Sequence, residues 1–272
     1  MDNVIYGNIK ILYLSPERLQ TELFQKRFLK MNFNILTIFP EIFDILNSGV
    51  LSKALGKSFS INCLDIRKHA INKHGQVDAK PYGGGEGMVM MAEPLKNSLN
   101  EIPSEDLGHV IYLSPQGIKL DQEKVIDLSS KKNITLICGR YEGVDQRFID
   151  KYVDEEISIG DFIISGGEYA ALCLIDSVAR NIPGTIGNKD SVSNDTFSNG
   201  LLKGPVYTRP EKFEDKDVPD VLLSGNHTKI KEWKSRNSLI QTLLRRPDLL
   251  NKVKLTNKQK KLLEEWESKD IL

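Results

Sequence analysis

Short apolar segments alternate with segments of helical periodicity from about residue 33 onward, and this alternation constrains the fold more than any other feature. Runs of apolar or β-branched residues, ended by proline, glycine or polar residues, predict strands at residues 33–39, 61–66, 109–114, 134–139 and 157–165. Helical periodicity between these runs predicts helices at residues 41–48, 94–100, 121–131, 145–152 and 168–181, with Asp121 as the cap of the third. Such alternation predicts an α/β fold with a mostly parallel sheet and helices on both of its faces.

Three turns that contain glycine or proline follow three of the predicted strands: "LSPQG", "CGRYEG" and "SGGE". Ligands of parallel sheets bind beyond the carboxyl ends of the strands, where these turns would lie. The "SGGE" turn lacks the Gly-Lys-Ser/Thr ending of a phosphate-binding loop, and Asp161 and Glu168 would repel a phosphate. A neutral or cationic ligand held by main-chain groups, such as S-adenosylmethionine, fits the turn better. A plain helix start is the simpler interpretation of this stretch alone.

A second glycine cluster, "KPYGGGEGMVM" at residues 80–90, resembles a nucleotide-binding loop only superficially. It has neither the glycine spacing nor the following Lys-Ser/Thr that such a loop requires. Three consecutive glycines either let a bulky planar group approach the backbone closely or form only a flexible turn. The sequence alone gives these two interpretations equal weight.

The composition is typical of a soluble globular protein, with 40% hydrophobic and 27% charged residues in 272 positions. No apolar run reaches the roughly 18 residues needed to span a bilayer, and the first residues show no signal-peptide pattern. We therefore expect a cytoplasmic protein without a membrane partner. Cys63, Cys138 and Cys173 are far apart in apolar segments, and we predict that they are buried small hydrophobic residues.

The chain changes character after Pro183. Residues 184–200 are polar, rich in glycine and poorly periodic, which indicates a linker or mobile loop. Two helices are predicted beyond it: the first begins near His227 and ends before Pro247, and the second opens with a capping box from Thr256. Residues 225–272 carry twelve Lys/Arg against six Asp/Glu, a net charge of +6 that the rest of the chain balances. This basic region indicates either a polyanionic partner or a solvated helical surface.

Nine motifs stand in order between residue 31 and the end of the chain: "TIFPEIF", "PYGGGEGMVMM", "IYLSPQG", "CGRYEGVDQR", "EEISIGDFIISGGE", "IDSVARNIPG", "YTRP", "PDVLLSGNH" and "LLRRPDLL". In these motifs and in their spacing, the chain from Met31 to its end resembles the bacterial tRNA (guanine-N1) methyltransferases, the TrmD family of the SPOUT superfamily. The resemblance implies a deep trefoil knot in the mostly parallel sheet, a small all-helical C-terminal domain and an obligate homodimer with shared active sites. It also implies domains at residues 31–185 (catalytic) and 201–272 (basic and tRNA-binding), joined by a mobile linker at 186–200.

The resemblance implies that S-adenosylmethionine binds in a bent shape against main-chain groups of three loops. Phe162 stands where the family often has tyrosine, and Ile164 stands where leucine is common. A contact made by the backbone should survive both changes. The implied cofactor-binding residues are Leu113, Ser114, Pro115, Gly139, Tyr141, Glu142, Ile159, Gly160, Phe162, Ile164, Gly166 and Gly167.

The implied reaction is methylation of guanine N1 in tRNA at the guanosine immediately 3′ of the anticodon, position 37, which supports reading-frame maintenance. By resemblance, Asp195 is the general base that takes the N1 proton, and Arg180 stabilises negative charge at O6. Without the resemblance, Asp195 would be interpreted as a turn residue and Arg180 as a charge at a helix end. Three roles stay open for Glu142: contact with the methionine ammonium, assistance to Mg²⁺, or orientation of its own loop. The family implies Mg²⁺ as a further cofactor, but no carboxylate cluster marks its site.

The resemblance also assigns tRNA contact to the basic C-terminal region, with Lys229, Lys234, Arg245 and Arg246 as candidate phosphate ligands. Two competing functions are a SPOUT methyltransferase for another RNA position and an RNA-binding protein that keeps the fold without catalysis. The "PYGGG" and "YTRP" motifs argue against the first. The second would show a missing base or a blocked cofactor loop, and the sequence has neither defect.

Residues 1–30 do not belong to the resemblance. Residues 9–30 instead resemble a fragment of a RecQ-type DNA helicase, through the motif "YLSPERL", although no other helicase motif accompanies it. We interpret residues 1–30 as a fusion remnant or an overlong gene start. An amphipathic extension that packs on the domain is the alternative.

Overall fold

A computed structural model describes residues 31–186 and 195–267. The helicase-like segment and much of the predicted linker therefore lie outside the described residues. The chain divides into two compact units between residues 187 and 188, and each unit is described by itself. Among the described residues, no helix combines the length and the apolar character that a membrane span requires.

The first unit is built around a five-stranded sheet in which every neighbouring pair of strands is parallel. The strands of the unit are β1 (Met31–Thr37), β2 (Phe59–Asp65), β3 (Asp78–Ala79), β4 (Val89–Met90), β5 (His109–Lys119), β6 (Asn133–Cys138) and β7 (Glu155–Ser158). The order across the main sheet is β2-β1-β6-β5-β7, and β3 and β4 form a separate antiparallel ladder. The predicted α/β class with a mostly parallel sheet is confirmed.

Helices cover both faces of this sheet. They are three 3-10 helices (Pro40–Asn47, Leu51–Lys53 and Ile66–His69) and the α-helices α1 (Ala92–Leu99), α2 (Ser104–Leu107), α3 (Gln122–Ser129), α4 (Gln146–Tyr152) and α5 (Gly167–Ala179). The predicted cap of α3 is confirmed, because the Asp121 carboxylate accepts a hydrogen bond from the Lys124 amide.

Successive residues of the strands enter two different cores, since side chains of a strand alternate between its faces. Ile35 of β1 joins the core formed with α5, whereas the next residue, Leu36, joins the core formed with α1 and α4. Both cores are apolar, which explains why the central strands β5 and β6 carry apolar or β-branched residues at successive positions. The sheet is therefore packed against helices on both of its faces.

Two predictions about this unit are wrong in part. The strand predicted at 157–165 ends at Ser158, and the apolar residues beyond it form a loop in which Ile163 is 82% exposed. A loop with apolar side chains gives the same pattern as a strand, and so the sequence could not separate the two. Cys138 is buried and Cys63 half-buried, but Cys173 lies exposed on α5, against the prediction that all three are buried.

The second unit contains α6 (Asp220–Leu223), α7 (His227–Arg245), a 3-10 helix (Pro247–Leu249) and α8 (Asn257–Glu267). Its core includes Leu201, Leu239 and Trp266. The capping box is confirmed, because the Thr256 amide donates to Gln259 Oε1 and the Gln259 amide donates to Thr256 Oγ1. A short antiparallel ladder between β8 (Lys212–Phe213) and β9 (Lys216–Asp217) departs from the all-helical expectation.

Candidate functional site

A pocket of about 360 Å³ lies at the carboxyl ends of β5, β6 and β7, which are neighbours in the sheet. Its volume falls within the roughly 300–1,000 Å³ of small-molecule sites. Three turns form most of its wall, and they are the three glycine- or proline-bearing turns of the sequence. The lining segments are residues 112–116, 139–143, 157–160 and 162–167, together with Ala170.

The first turn is a bulge inside β5. Leu113 and Ile118 both align with Ile157 of β7, so the residues between them leave the ladder and project toward the pocket. Ser114 stabilises this bulge, since its hydroxyl accepts a hydrogen bond of 3.1 Å from the Gln116 amide. Gly117 ends the bulge where its backbone touches the β7 backbone at Glu156, a contact that leaves no room for a Cβ.

The second turn follows β6 and packs against Tyr112. A Cβ at Gly139 would lie 2.6 Å from the Tyr112 ring, so glycine is required for this approach. Burial, with the nearby charge of Glu156, raises the pKa of the Tyr112 phenol, although its hydrogen bond with Val144 acts in the opposite direction. Tyr141 adopts a left-handed backbone with φ 60°, which turns the chain sharply at the pocket.

The third turn connects β7 to α5. Its start is fixed by Ser158, whose hydroxyl donates to the Gly160 carbonyl oxygen and accepts from the Gly160 amide. Its end is fixed by Gly167, the first residue of α5, whose amide donates to the Gly139 carbonyl oxygen at 2.8 Å. A Cβ at Gly167 would lie 2.8 Å from Cys138 Cα, so the second and third turns touch backbone to backbone.

The charges at the third turn differ from the sequence interpretation, in which Asp161 and Glu168 present negative charge to a ligand. Glu168 is 0% exposed, and its carboxylate is bonded by Arg140 Nε and by the Thr37 hydroxyl. Asp161 lies on the surface and pairs with Lys119 at 2.7 Å. Sequence reasoning could not anticipate these partners, because each comes from a distant part of the chain. Because the Glu168 carboxylate is already paired with Arg140, it does not support the prediction of a cationic ligand.

The structure brings all of the sequence-predicted cofactor residues to this one pocket. Their role in binding stays a prediction, whereas their convergence is an observation. Sequence reasoning did not select Arg140, although it stands inside the "CGRYEG" motif and lines the pocket. The predicted residues that line it are Leu113, Ser114, Pro115, Gly139, Tyr141, Glu142, Ile159, Gly160, Phe162, Ile164, Gly166 and Gly167.

The two predicted catalytic residues belong to different units of the chain. Arg180 is exposed and directly follows α5, in the first unit. Asp195 is half-buried in the second unit, where Lys203 Nζ lies 3.6 Å from its Oδ1. Their catalytic roles stay predictions.

The predicted tRNA-binding residues lie on the surface of the second unit. Lys229, Lys234 and Arg245 are exposed on α7, and Arg246 follows the helix. Arg246 donates from both Nε and Nη2 to the carboxylate of Asp248. A phosphate that approached Arg246 from this side would compete with Asp248 for the same donors.

The resemblance also implies an Mg²⁺ site. Within residues 31–186 and 195–267, no group of three or more His, Cys, Asp or Glu side chains is arranged to hold a metal ion. Mg²⁺ binds through carboxylate and other oxygen ligands. Because Mg²⁺ usually keeps several waters and needs only one or two carboxylates from the protein, a larger cluster is not required, and Mg²⁺ as a further cofactor stays a prediction.

The fold and the pocket together define an α/β protein with a small-molecule site lined by glycine-rich turns at the carboxyl edge of a parallel sheet. The family model described as tRNA (Guanine-1)-methyltransferase TrmD matches residues 31–252. The chain therefore belongs to this family.

Individual relatives agree with the family match. The tRNA (guanine-N(1)-)-methyltransferase of Buchnera aphidicola subsp. Baizongia pistaciae is 50% identical over 244 residues, which cover 88% of this chain and 98% of the relative. The enzyme of the same name from Pseudoalteromonas translucida is 51% identical over 237 residues, with coverages of 86% and 93%. That of Staphylococcus carnosus is 47% identical over 238 residues, with coverages of 87% and 97%.

Proposed function

We propose that this protein methylates N1 of guanine in tRNA, at the guanosine immediately 3′ of the anticodon, with S-adenosylmethionine as methyl donor. Methylation at this position, 37, supports maintenance of the reading frame. The observation that carries the proposal is the convergence of three strand-end turns on one pocket, in a chain that belongs to the TrmD family.

The residues of the pocket fit S-adenosylmethionine. The three turns contain glycines that let the turns pack closely against neighbouring protein atoms and so converge on one pocket, and Leu113, Ile159 and Ile164 supply apolar walls. When bound, S-adenosylmethionine supplies an electrophilic methyl group on a sulfonium. We include a deep trefoil knot in the proposal, because a knotted path would hold three turns from distant sequence positions together.

The chemistry that we assign to the chain needs a base and a cation at the guanine. The Asp195 carboxylate accepts the N1 proton, which leaves an electron pair on that nitrogen for the new bond to the methyl carbon. The bond between the methyl carbon and sulfur breaks in the same step, and its electron pair stays on sulfur, which leaves as a neutral thioether. The Arg180 guanidinium stabilises the negative charge that develops on O6. Holding donor and acceptor in line contributes up to roughly 7–11 kcal/mol in favourable cases.

We extend the proposal to the assembly and to the RNA. The active protein is a cytoplasmic homodimer in which Asp195 of one subunit serves the pocket of the other. The second unit binds the anticodon arm through exposed cations, with Lys229, Lys234, Arg245 and Arg246 as phosphate ligands. Support for these points comes from family membership and from the exposure of the four side chains.

The experiment mixes the purified chain with S-adenosylmethionine labelled on the methyl group and with tRNA that carries G or A after the anticodon. We expect methyl incorporation only into the G form. Incorporation at another nucleotide would support a different RNA methyltransferase. RNA binding without transfer to either form would support a non-catalytic RNA-binding protein.

A pair of variants tests the proposed base. Asp195→Asn should lower methyl transfer about 100-fold or more, because the carboxamide cannot accept the proton, and it should leave the dissociation constant of S-adenosylmethionine unchanged. Asp217→Asn is the matched control, since Asp217 is an exposed aspartate of the same unit. Equal activity of the two variants would remove Asp195 from the mechanism.

A further inference from the structure

An arginine–glutamate pair is buried directly beneath the pocket. Arg140 Nε lies 2.8 Å from Glu168 Oε2, and the two side chains are 16% and 0% exposed. Arg140 belongs to the second turn and lines the pocket, whereas Glu168 lies in the first turn of α5. The pair therefore joins two of the three turns at their base.

Both members of the pair make further hydrogen bonds. Arg140 Nη1 donates to the Ser165 carbonyl oxygen at 3.1 Å, which adds the third turn itself to the network. At the other end, the Thr37 hydroxyl donates to Glu168 Oε1 at 2.8 Å and accepts from the Phe39 amide. Both carboxylate oxygens of Glu168 thus have a partner, and the chain of bonds runs from the end of β1 to the loop before α5.

Packing fixes the position of the Arg140 side chain from two further sides. Its guanidinium carbon lies 4.6 Å from the centroid of the Phe39 ring, a cation–π distance. On another side, a Cβ at Gly166 would collide with the Arg140 side chain. The arginine consequently fills the space that the glycine leaves, so its shape sets how close the two turns come.

Stability alone does not explain a buried ion pair at this place. Removing two charges from water is unfavourable, and a well-packed apolar pair of similar volume is often as stable or more stable. A planar guanidinium instead offers donors in a fixed fork, and a lysine amine cannot reproduce that geometry. Here the fork reaches Glu168 and Ser165 at the same time.

We propose that Arg140 is a positioning residue, whose fork to Glu168 and Ser165 holds the second and third turns at the separation that S-adenosylmethionine requires. This inference rests on the proposed function and concerns the same pocket. A pocket whose turns are already in place binds more tightly, because less ordering accompanies binding. Loss of the fork should thus weaken cofactor binding even where the fold persists.

The experiment measures the dissociation constant of S-adenosylmethionine by calorimetry and the thermal unfolding temperature for the full chain and four variants. Arg140→Lys keeps the charge and loses the fork. Arg140→Met leaves Glu168 without its cation, and adding Glu168→Gln to it removes the buried charge while keeping an acceptor for Thr37. Arg147→Met is the matched control, because Arg147 pairs with Asp145 close by but is 77% exposed.

We expect Arg140→Lys and the Arg140→Met/Glu168→Gln double variant to bind the cofactor about 10- to 100-fold more weakly, an effect of misplaced turns. The double variant should recover most of the unfolding temperature that Arg140→Met loses, without recovering affinity. In methyl transfer, the KM for S-adenosylmethionine should rise while the KM for tRNA stays within about twofold, because the pocket alone is altered. The Arg147→Met control should bind like the parent.

Parent-like affinity in both Arg140→Lys and the double variant would overturn the inference and assign the pair a purely structural role. Recovery of affinity together with the unfolding temperature in the double variant would do the same. Failure of the parent chain itself to bind S-adenosylmethionine would instead overturn the proposed function, and with it the inference. If the double variant does not fold, Arg140→Lys alone decides.

Discussion

The first unit contains two glycine clusters that look alike in sequence and differ in structure. Gly166 and Gly167, at the start of α5, have no room for a side chain, because a Cβ would meet Arg140 or the backbone of Cys138. Gly83, Gly84 and Gly85 face open space, with no atom within 4 Å of a Cβ, but all three have positive φ angles between 80° and 118°. Crowding explains the first cluster and backbone conformation explains the second.

The difference separates two uses of the same residue. At Gly167 the neighbouring atoms are main chain and cannot move aside, so a substitution must push the second and third turns apart. At Gly84 a side chain would project into solvent, and the only obstacle is the left-handed backbone, which L-residues adopt at a cost of about 1–2 kcal/mol. The first cluster therefore supports the pocket, and the second supports the path of a surface loop.

The largest effect is expected for Gly167→Ala. Overpacking of a site that cannot relax costs about 1–3 kcal/mol, and here the displaced atoms form the pocket wall. We expect a loss of this size in the free energy of unfolding, measured by denaturant titration, together with weakened S-adenosylmethionine binding. Stability and affinity equal to the parent would show that the two turns are not packed as described.

An intermediate effect is expected for Gly87→Ala, since Gly87 combines both situations. Its φ is +80°, and a Cβ would lie 2.5 Å from Cγ of Glu142, a side chain that lines the pocket. Because Glu142 is exposed and flexible, we expect the backbone strain of about 1–2 kcal/mol and only a several-fold weaker cofactor affinity. An unchanged affinity for S-adenosylmethionine, measured by calorimetry, would show that Glu142 does not contribute to cofactor binding.

A smaller effect is expected for Gly84→Ala, which is the matched partner of Gly87→Ala. The same backbone strain of about 1–2 kcal/mol should appear in denaturant titration, but the dissociation constant of S-adenosylmethionine should not change. A loss of cofactor affinity here would erase the distinction between the two clusters. It would mean that the loop at residues 83–85 also shapes the pocket.

The smallest effect is expected at Glu155, the first residue of β7. Burial raises the pKa of Glu155, but hydrogen bonds from Lys124 and His109 outweigh it and hold the pKa below its ordinary value of 4.5. A carboxyl group whose pKa is lowered in the folded state stabilises the protein at pH values above its ordinary pKa. This contribution is lost as the pH falls through the folded-state pKa.

Glu155→Gln removes this contribution. We expect the variant to lose less stability than the parent below about pH 4.5, by less than about 1 kcal/mol, with unchanged cofactor affinity at neutral pH. Unfolding temperatures between pH 3 and pH 7 provide the comparison. A parent and a variant with identical acid dependence would show that the Glu155 pairs contribute nothing to stability.

Local patterns sufficed for much of the fold. Apolar segments that alternate with helical segments predicted the parallel sheet. Single residues such as Asp121 and Thr256 predicted helix starts, because a cap acts within one turn of its own helix. The same locality explains the mistake after Ser158. A strand is defined by partners in other segments, and the apolar loop around Ile163 has the composition of a strand without the partners.

Prediction of the pocket required information that no local sequence pattern contains. The turns at Ser114, Gly139 and Gly167 meet only because β6, β5 and β7 are neighbours in the sheet, an order that differs from their order in the chain. The family resemblance supplied the candidate residues, whereas Arg140 and its partners were visible only in the structure. The two glycine clusters show the same limit, since their sequences do not reveal which one is crowded.

The central claim is that three strand-end turns hold S-adenosylmethionine, and a crystal structure of the chain with this cofactor tests it most directly. The account predicts electron density for the cofactor inside the pocket, in contact with main-chain groups of residues 113–115, 139–142 and 159–167 together. Density at another place on the protein, or contact with only one of the three turns, would contradict it.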